Sequence, residues 1–342
     1  MLSSRESGCK GTKKSEKWEA KSEKNAAATP FFTFFSYFCG AMKHELSILI
    51  PVYNDICVQM VRQLSQQAAA VEALSYEIIV ADDGSTDDHC LQANSSIESL
   101  PHCHYIKRGV NVGRAAIRNF LARQARYGWL LFLDCDMQVP HNHFLTDYLA
   151  CEGDAVVDGG FAVVETPSLY GRNLRYTYEW ATQTSHTAKE RQKRPHQHFR
   201  TTNFMVSRDV MLQLPFDERI RHYGFEDVLF GKQLRQAKIP VRHIDNPMML
   251  ADVEANSVFV AKTEEALRTL HTFRAELQGY SRLLTAVNGI HLGIVKSAIR
   301  LWHWLFGSLE RRSLCGRRPR LSVFKLYKIG YYLTLTKNDK DV

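Results

Sequence analysis

Apolar residues in this chain come in short unbroken runs, each closed by acidic or small polar residues. Residues 46–52 (LSILIPV) are almost wholly apolar and stop at Tyr53-Asn54-Asp55. Residues 76–81 (YEIIVA) stop at Asp82-Asp83-Gly84-Ser85-Thr86-Asp87, and residues 129–133 (WLLFL) stop at Asp134-Cys135-Asp136. Runs this short, apolar at both odd and even positions, predict strands buried on both faces. A weaker strand is predicted over 104–107. Between them, 58–74 and 114–127 space their apolar residues at helical intervals. Strand and helix alternating through short connections predict an α/β fold, a mostly parallel sheet flanked by helices. Such sheets bind ligands beyond the carboxyl ends of their strands. The pattern therefore predicts Asp55, Asp82/Asp83 and Asp134/Asp136 along one sheet edge.

Beyond residue 256 the period is helical. Ala266, Leu267, Leu270 and Phe273 form one stripe, and 289–309 carries a stronger one that includes Trp302, Trp304 and Phe306. The chain thus reads as an N-terminal extension (1–43), an α/β domain (44–255) and a helical basic C-terminal region (256–342). Charge sharpens this division. The net charge is +8, yet residues 281–342 hold 12 Lys/Arg against 3 Asp/Glu, a net of +9, so the rest of the chain is close to neutral. Residues 1–30 are polar, Lys/Glu-rich and without periodicity, which predicts partial disorder. Residues 31–41 (FFTFFSYFCGA) follow that basic tract as the apolar part of a signal peptide would, but they are too short to span a membrane. The eight cysteines are scattered, with no CxxC pair, which favours a reduced, cytoplasmic protein over a disulfide framework.

Any single Asp after a strand is ordinary turn or cap chemistry. Asp134-x-Asp136 is different. Alternate side chains of an extended tripeptide point the same way, and two carboxylates held that close repel unless a cation lies between them or one is protonated. Oxygen ligands suit Mg²⁺ or Mn²⁺, which keep positions open for substrate phosphates. No G-x-x-x-x-G-K-[ST] or G-x-G-x-x-G run is present, so the sequence offers no glycine-rich cradle for a phosphate.

Taken in order, Ile50-Pro-Val-Tyr-Asn54, Val80-Ala-Asp-Asp-Gly-Ser-Thr-Asp87, Asn111-Val-Gly-Arg-Ala-Ala-Ile-Arg-Asn119 and Phe132-Leu-Asp-Cys-Asp136 resemble a family 2 glycosyltransferase with a GT-A fold. Gly224-Phe-Glu-Asp-Val-Leu-Phe-Gly231 resembles the acceptor-side Glu-Asp motif of chondroitin-synthase-like members. The resemblance covers roughly 45–255. It implies a metal-dependent, inverting, hexosyltransferase-type enzyme, using Mn²⁺ or Mg²⁺ to move a sugar from a nucleotide-diphosphate sugar, a UDP-sugar first, to a hydroxyl of a saccharide or lipid-linked acceptor.

The resemblance also implies roles. Pro51, Val52, Tyr53 and Asp83 hold the nucleotide, for an aromatic ring can stack on a base and a carboxylate can accept the imide N–H of uracil. Arg114 and Arg118, one turn apart, either face the diphosphate or pair with the nearby Asp cluster. Asp136 is the direct metal ligand, and Asp134 is a second acid that meets the ribose or sugar hydroxyls. Asp227 is the general base, with Glu226 the first alternative. Residues 158–222 form the acceptor wall through Gly159-Gly160-Phe161, Tyr176/Tyr178/Trp180 and Asn203-Phe204. By composition, residues 189–200 (KERQKRPHQHFR) read as a solvated, mobile flap, with contact to an anionic acceptor or the diphosphate as the alternative.

The pattern is broken at one position. Relatives with an Asn-Pro dipeptide carry a metal-binding His four residues after the Asn, and this chain has Leu250 there. Either His243 or Asp252 then substitutes, His243 being the candidate ligand, or water completes the shell. That departure keeps open a catalytically inactive scaffold. The basic tail keeps open a nucleic-acid-binding protein, although no recognised module supports it and nucleic acid is not an expected partner. Tail charge and Trp302/Trp304 together predict peripheral attachment to the inner face of the plasma membrane.

Overall fold

The computed structural model describes residues 43–338; the expectations for the N-terminal extension and its apolar 31–41 stretch lie outside the described residues. The first half follows the alternation: β1 (Glu45–Val52), α1 (Val58–Ala69), β2 (Ser75–Asp82), α2 (Asp88–Ser95), β3 (Cys103–Lys107), α3 (Arg114–Gln124) and β4 (Trp129–Leu133). The middle is more broken, with α4 (Phe144–Leu149), β5 (Val156–Asp158), β6 (Phe161–Val163), α5 (Leu174–Thr182), α6 (Ala188–Gln192), β7 (Asn203–Ser207), α7 (Arg208–Gln213), α8 (Glu226–Gln236), β8 (Arg242–His243) and β9 (Met248–Leu250). Four helices close the chain: α9 (Asn256–Thr272), α10 (Arg282–Asn288), α11 (Gly293–Leu314) and α12 (Leu321–Asn338).

A seven-stranded sheet runs β3-β2-β1-β4-β7-β5-β8, and β6 and β9 pair apart from it. The β1–β2, β2–β3 and β1–β4 pairs are parallel, whereas β7 runs antiparallel to β4 and β5. Successive residues feed two cores. Ile48, Ile50, Leu131 and Leu133 pack on one face of the sheet, and Leu49, Ile79, Leu130 and Phe132 on the other. This double burial is why the runs are apolar at every position rather than at alternate ones.

Register places the chemistry. Val52 pairs with Asp82, and Leu49 with Phe132, so the turns that follow β1, β2 and β4 emerge at one edge. The terminal helices share cores with this body. Ile220 and Leu229 pack with Leu267, Leu270 and Tyr332, and Leu174 packs with Val260, Leu314 and Phe324. No helix among the described residues is long and apolar enough to cross a membrane.

Candidate active site

The turns after β1 and β2 are tied into one unit. Asn54 sits at φ 50°, and its Oδ1 accepts the Thr86 and Asp87 N–H groups at 2.8 and 3.0 Å. Its own N–H donates to Ser85 Oγ at 2.7 Å. Tyr53 is left 48% exposed at this edge, Pro51 is half-buried, and Val52 is core. Asp83 is 4% exposed, and its two oxygens accept the Val112 and Gly113 N–H groups, both at 3.0 Å. Burial pushes its carboxyl up, and those bonds oppose the rise. Asp83 therefore anchors the loop that starts α3 rather than standing open to a base. Gly113, at φ 88°, is needed there because a Cβ would lie 2.5 Å from the Arg221 carbonyl oxygen.

An acid–arginine knot joins α3, β4 and α8. Arg118 is 1% exposed; its Nη2 donates to Asp134 Oδ1 at 2.5 Å, and its Nη1 lies 3.7 Å from Glu226 Oε1. Arg114 reaches the same two acids at 3.3 Å each, with Asp134 and Glu226 raising its pKa against the effect of its burial. The two arginines divide here. Arg118 is enclosed by the acids, whereas the Arg114 side chain is 39% exposed to the cleft. Asp134 is buried in the knot and Asp136 is exposed beyond it. Asp136 keeps accessible surface, but the cleft around it thins its hydration; that desolvation, then the neighbouring Asp134 charge, push its carboxyl up, and Arg114 works against them. A carboxylate crowded by another carboxylate is the situation a divalent cation relieves.

On the facing side, Gly224 at φ 96° and Phe225 at φ 71° turn the chain sharply into α8. A Cβ on Gly224 would meet the Ala266 Cβ at 2.8 Å. A left-handed phenylalanine is a strained position, and such strain collects at functional sites. The turn sets Glu226 and Asp227 in the first turn of the helix, pointing to different partners. Glu226 enters the arginine knot. Among the described residues Asp227 accepts one hydrogen bond, from the Val228 N–H at 2.7 Å, and burial, then the Glu226 charge, lift its carboxyl to about 6.

Asp134, Asp136, Glu226 and Asp227 line one cavity of about 450 Å³. Its far wall comes from residues the sequence reading did not single out. Glu179 of α5 is 8% exposed, and its Oε2 has no hydrogen-bond partner among the described residues. Burial raises its pKa. Arg200 and Lys328 line the same cavity, with Arg200 over the Phe161 ring at 4.9 Å and Lys328 over the Tyr178 ring at 4.9 Å. Nothing in the sequence marks Lys328, which arrives from α12. Glu179 had a faint signal, as an acid on an otherwise aromatic helical turn.

The acceptor wall predicted over 158–222 is only partly a wall. Phe161 and Tyr178 line the cavity, but Asn203 and Phe204 belong to β7 and are fully buried. Tyr176 is core and stacks on Trp180 at 5.8 Å. The predicted flap is corrected too, because Arg191 is 4% exposed and pins 189–200 to the body. Its guanidinium bonds Asp158 Oδ1 at 2.8 Å, the Ile244 carbonyl at 2.7 Å and His243 Nδ1 at 2.6 Å. This also removes His243 as a metal ligand. Nδ1 accepts from Arg191, which leaves Nε2–H to donate to the Pro195 carbonyl at 2.9 Å. Burial keeps the ring neutral by lowering its pKa. Leu250 is core at 1% exposure, and Asp252 is an exposed residue that does not line the cavity. Away from the cleft, His141, His143 and Asp147 form a surface group of ligand-type side chains.

Residues 47–214 match the model of Glycosyl transferase family 2. Chondroitin synthase of Pasteurella multocida (strain Pm70) is 26% identical over 236 residues, 59% of this chain and 24% of its own length. Chondroitin synthase of Escherichia coli is 26% identical over 239 residues, 59% of this chain and 34% of its own length. The chain thus spans 24% and 34% of the length of these two curated relatives. A mannosyltransferase from Pyrobaculum calidifontis, solved in complex with GDP-Man and Mn²⁺, overlaps 86% of this chain and 87% of its own at a TM-score of 0.52. At 13% identity that likeness is one of fold, the GT-A-type sheet with its helical C-terminal part.

Proposed function

The chain belongs to glycosyl transferase family 2 through residues 47–214, and from that membership we propose that it transfers a hexose, with inversion, from a nucleotide-diphosphate sugar to a hydroxyl of a saccharide or lipid-linked acceptor. A UDP-sugar is the first donor to test. The observation that carries the reading is the meeting of Asp136 and Asp227 in one cavity, one at the end of β4 and the other at the start of α8. The first offers an exposed carboxylate to a cation. The second is a carboxylate that titrates near neutrality and is free to take a proton.

A divalent cation, Mn²⁺ or Mg²⁺, fits this donor set, with Asp136 as its ligand; when bound it would neutralise the departing nucleoside diphosphate. Asp134 already accepts from Arg118 and Arg114, one on each oxygen, so Asp136 is the less engaged of the two acids. The chain's own groups do the rest. The exposed edge of Arg114 offers planar donors to the diphosphate. Arg118 holds Asp134 and Glu226 in place and is a positioning residue. Tyr53 stands exposed where a base would stack, and Asp83 shapes the loop beside it. Asp227 accepts the acceptor hydroxyl proton as that oxygen attacks the anomeric carbon. Its raised pKa makes it a better base than an ordinary Asp and leaves it mostly ionised at neutral pH. Glu179 Oε2 is placed to accept a hydrogen bond from a second acceptor hydroxyl. In this reading the protein works peripherally at the cytoplasmic face of a membrane, where a lipid-linked acceptor is presented.

A second reading, an inactive scaffold, is favoured by one observation: Leu250 occupies the core where the family pattern has a metal-binding His. A panel of UDP- and GDP-sugars with Mn²⁺ separates the two. Metal-dependent hydrolysis of one donor supports the enzyme. Absence of both hydrolysis and metal-dependent UDP binding supports the scaffold.

A further inference from the structure

We propose that the outward face of α11 lies in the interfacial plane of an anionic membrane, with the arginine-bearing turn that follows it against the headgroups. The inference rests on the peripheral placement in the functional reading and not on its transfer chemistry.

α11 has two unlike faces. His303, Gly307, Glu310 and Leu314 recur at three- or four-residue intervals and turn inward. Trp302 Nε1 donates to Glu310 Oε1 at 2.9 Å, and His303 Nδ1 lies 3.2 Å from Glu310 Oε2. The His303 ring meets Tyr327 and Tyr331 of α12 edge-on. So the polar network points at the protein. The other face is apolar and open: Ile294 is 78% exposed, Leu301 57%, Leu305 51% and Leu309 58%, with Trp304 at 76% and Trp302 at 47% on its flanks. A surface helix ordinarily shows the reverse arrangement. One exposed leucine is unremarkable, but a stripe from Ile294 to Leu309, roughly 22 Å long at 1.5 Å per residue, marks an interaction surface.

Charge selects the occupant. Glu310 is the only acid between 289 and 320, and it is turned inward. Arg312 continues the apolar stripe at its end, and Arg317, Arg318 and Arg320 follow as exposed residues. Arg317 and Arg318, with Arg172, line a groove of about 720 Å³. An apolar stripe flanked by tryptophans and ending in arginines fits the boundary between acyl chains and anionic headgroups. A second copy of this chain would bring another basic rim with no acid to meet it. The helix is not apolar enough to span, so it lies in the plane.

The test uses the full chain, because α12 is woven into the shared cores and cannot be cut away cleanly. The protein is co-sedimented with phosphatidylcholine vesicles, with and without phosphatidylglycerol, beside a Leu301→Glu/Leu305→Glu variant. Both positions are exposed, so thermal melting and UDP binding of the variant should match the parent. The expected result is binding to the anionic vesicles with a blue shift of tryptophan emission, weak binding to neutral ones, and a loss of about tenfold or more in the variant. Three results would overturn the proposal: full-length protein left in the supernatant at low salt, a variant that binds as well as the parent, or a parent dimer that the variant converts to monomer. Asp136→Ala should bind vesicles normally, so failure of the transfer reading and failure of the membrane reading remain separate.

Discussion

Arg118 Nη2 lies 2.5 Å from Asp134 Oδ1, in a pair whose arginine is only 1% exposed. This bond separates the two acids of the D-x-D turn. Asp134 is held in a buried charge network that also includes Glu226, and Asp136, two residues on, is left to the cleft. The same bond makes Arg118 a strut between α3, β4 and α8, while Arg114, one turn earlier, keeps an exposed edge.

Removing the strut should cost stability first. Arg118→Met leaves Asp134 and Glu226 short of a buried countercharge, which destabilises by about 3–5 kcal/mol. Arg114→Gln should cost less stability and instead weaken UDP binding by about 10- to 100-fold, the effect of losing a charged hydrogen bond. Urea unfolding and calorimetry on both variants check this. Equal stability losses would remove the division of labour between them.

Asp136→Ala should abolish Mn²⁺-dependent UDP binding and leave the melting temperature at or slightly above that of the parent. The side chain is exposed, and its carboxyl is held above its ordinary value by its surroundings, so no core contact is lost. Calorimetry with and without Mn²⁺ measures it. Unchanged metal dependence would move the cation to other residues.

Asp227→Asn should keep donor binding and lower transfer by about 10²–10⁴-fold, as expected for loss of a general base. Because the Asp227 carboxyl is lifted to about 6, the transfer rate of the parent should rise with pH and level off above that value. Stability runs the other way. A carboxyl whose folded pKa is raised binds its proton more tightly when folded, so its contribution is full below the ordinary value near 4 and is lost as pH rises through about 6. Asp227→Asn should therefore be the more stable protein at pH 8 and lose that advantage at pH 4, read by thermal melts at both.

Glu179→Gln should raise the acceptor KM by about 10-fold or more and leave UDP binding unchanged, because a buried carboxylate that receives an acceptor hydroxyl makes a charge-assisted bond. The same rise in donor KM would place Glu179 on the donor side instead.

The strands and turns of the first half were legible in the chain because each signal is local. A run buried on both faces must be apolar throughout, and the residues that stop it must turn, so β1, β2 and β4 and the acids beyond them could be read directly. The later strands were not. β5, β6, β8 and β9 are two or three residues long, too short for any period to show. The segment 189–200 reads as a solvated loop by composition, yet Arg191 is at the centre of a buried hydrogen-bond network. A long polar side chain is exposed or enclosed according to what distant backbone carbonyls surround it, and no local pattern records that.

By itself the sequence determined the sheet-forming runs, the ordered acidic turns, the family, and the presence of an amphipathic basic tail, since each depends on spacing along the chain. Only the tertiary structure decided which members of each motif face the cleft. It sealed Arg118 and opened Arg114, buried Asp134 and exposed Asp136, and turned both His243 nitrogens to protein partners. It also brought Glu179 and Lys328 to the cavity from helices about 150 residues apart, and it turned the apolar side of α11 outward. The physical reason is common to all of these. Whether a charge is paired, desolvated or free depends on partners supplied by other elements, and those partners are neighbours only once the sheet and its helices have packed.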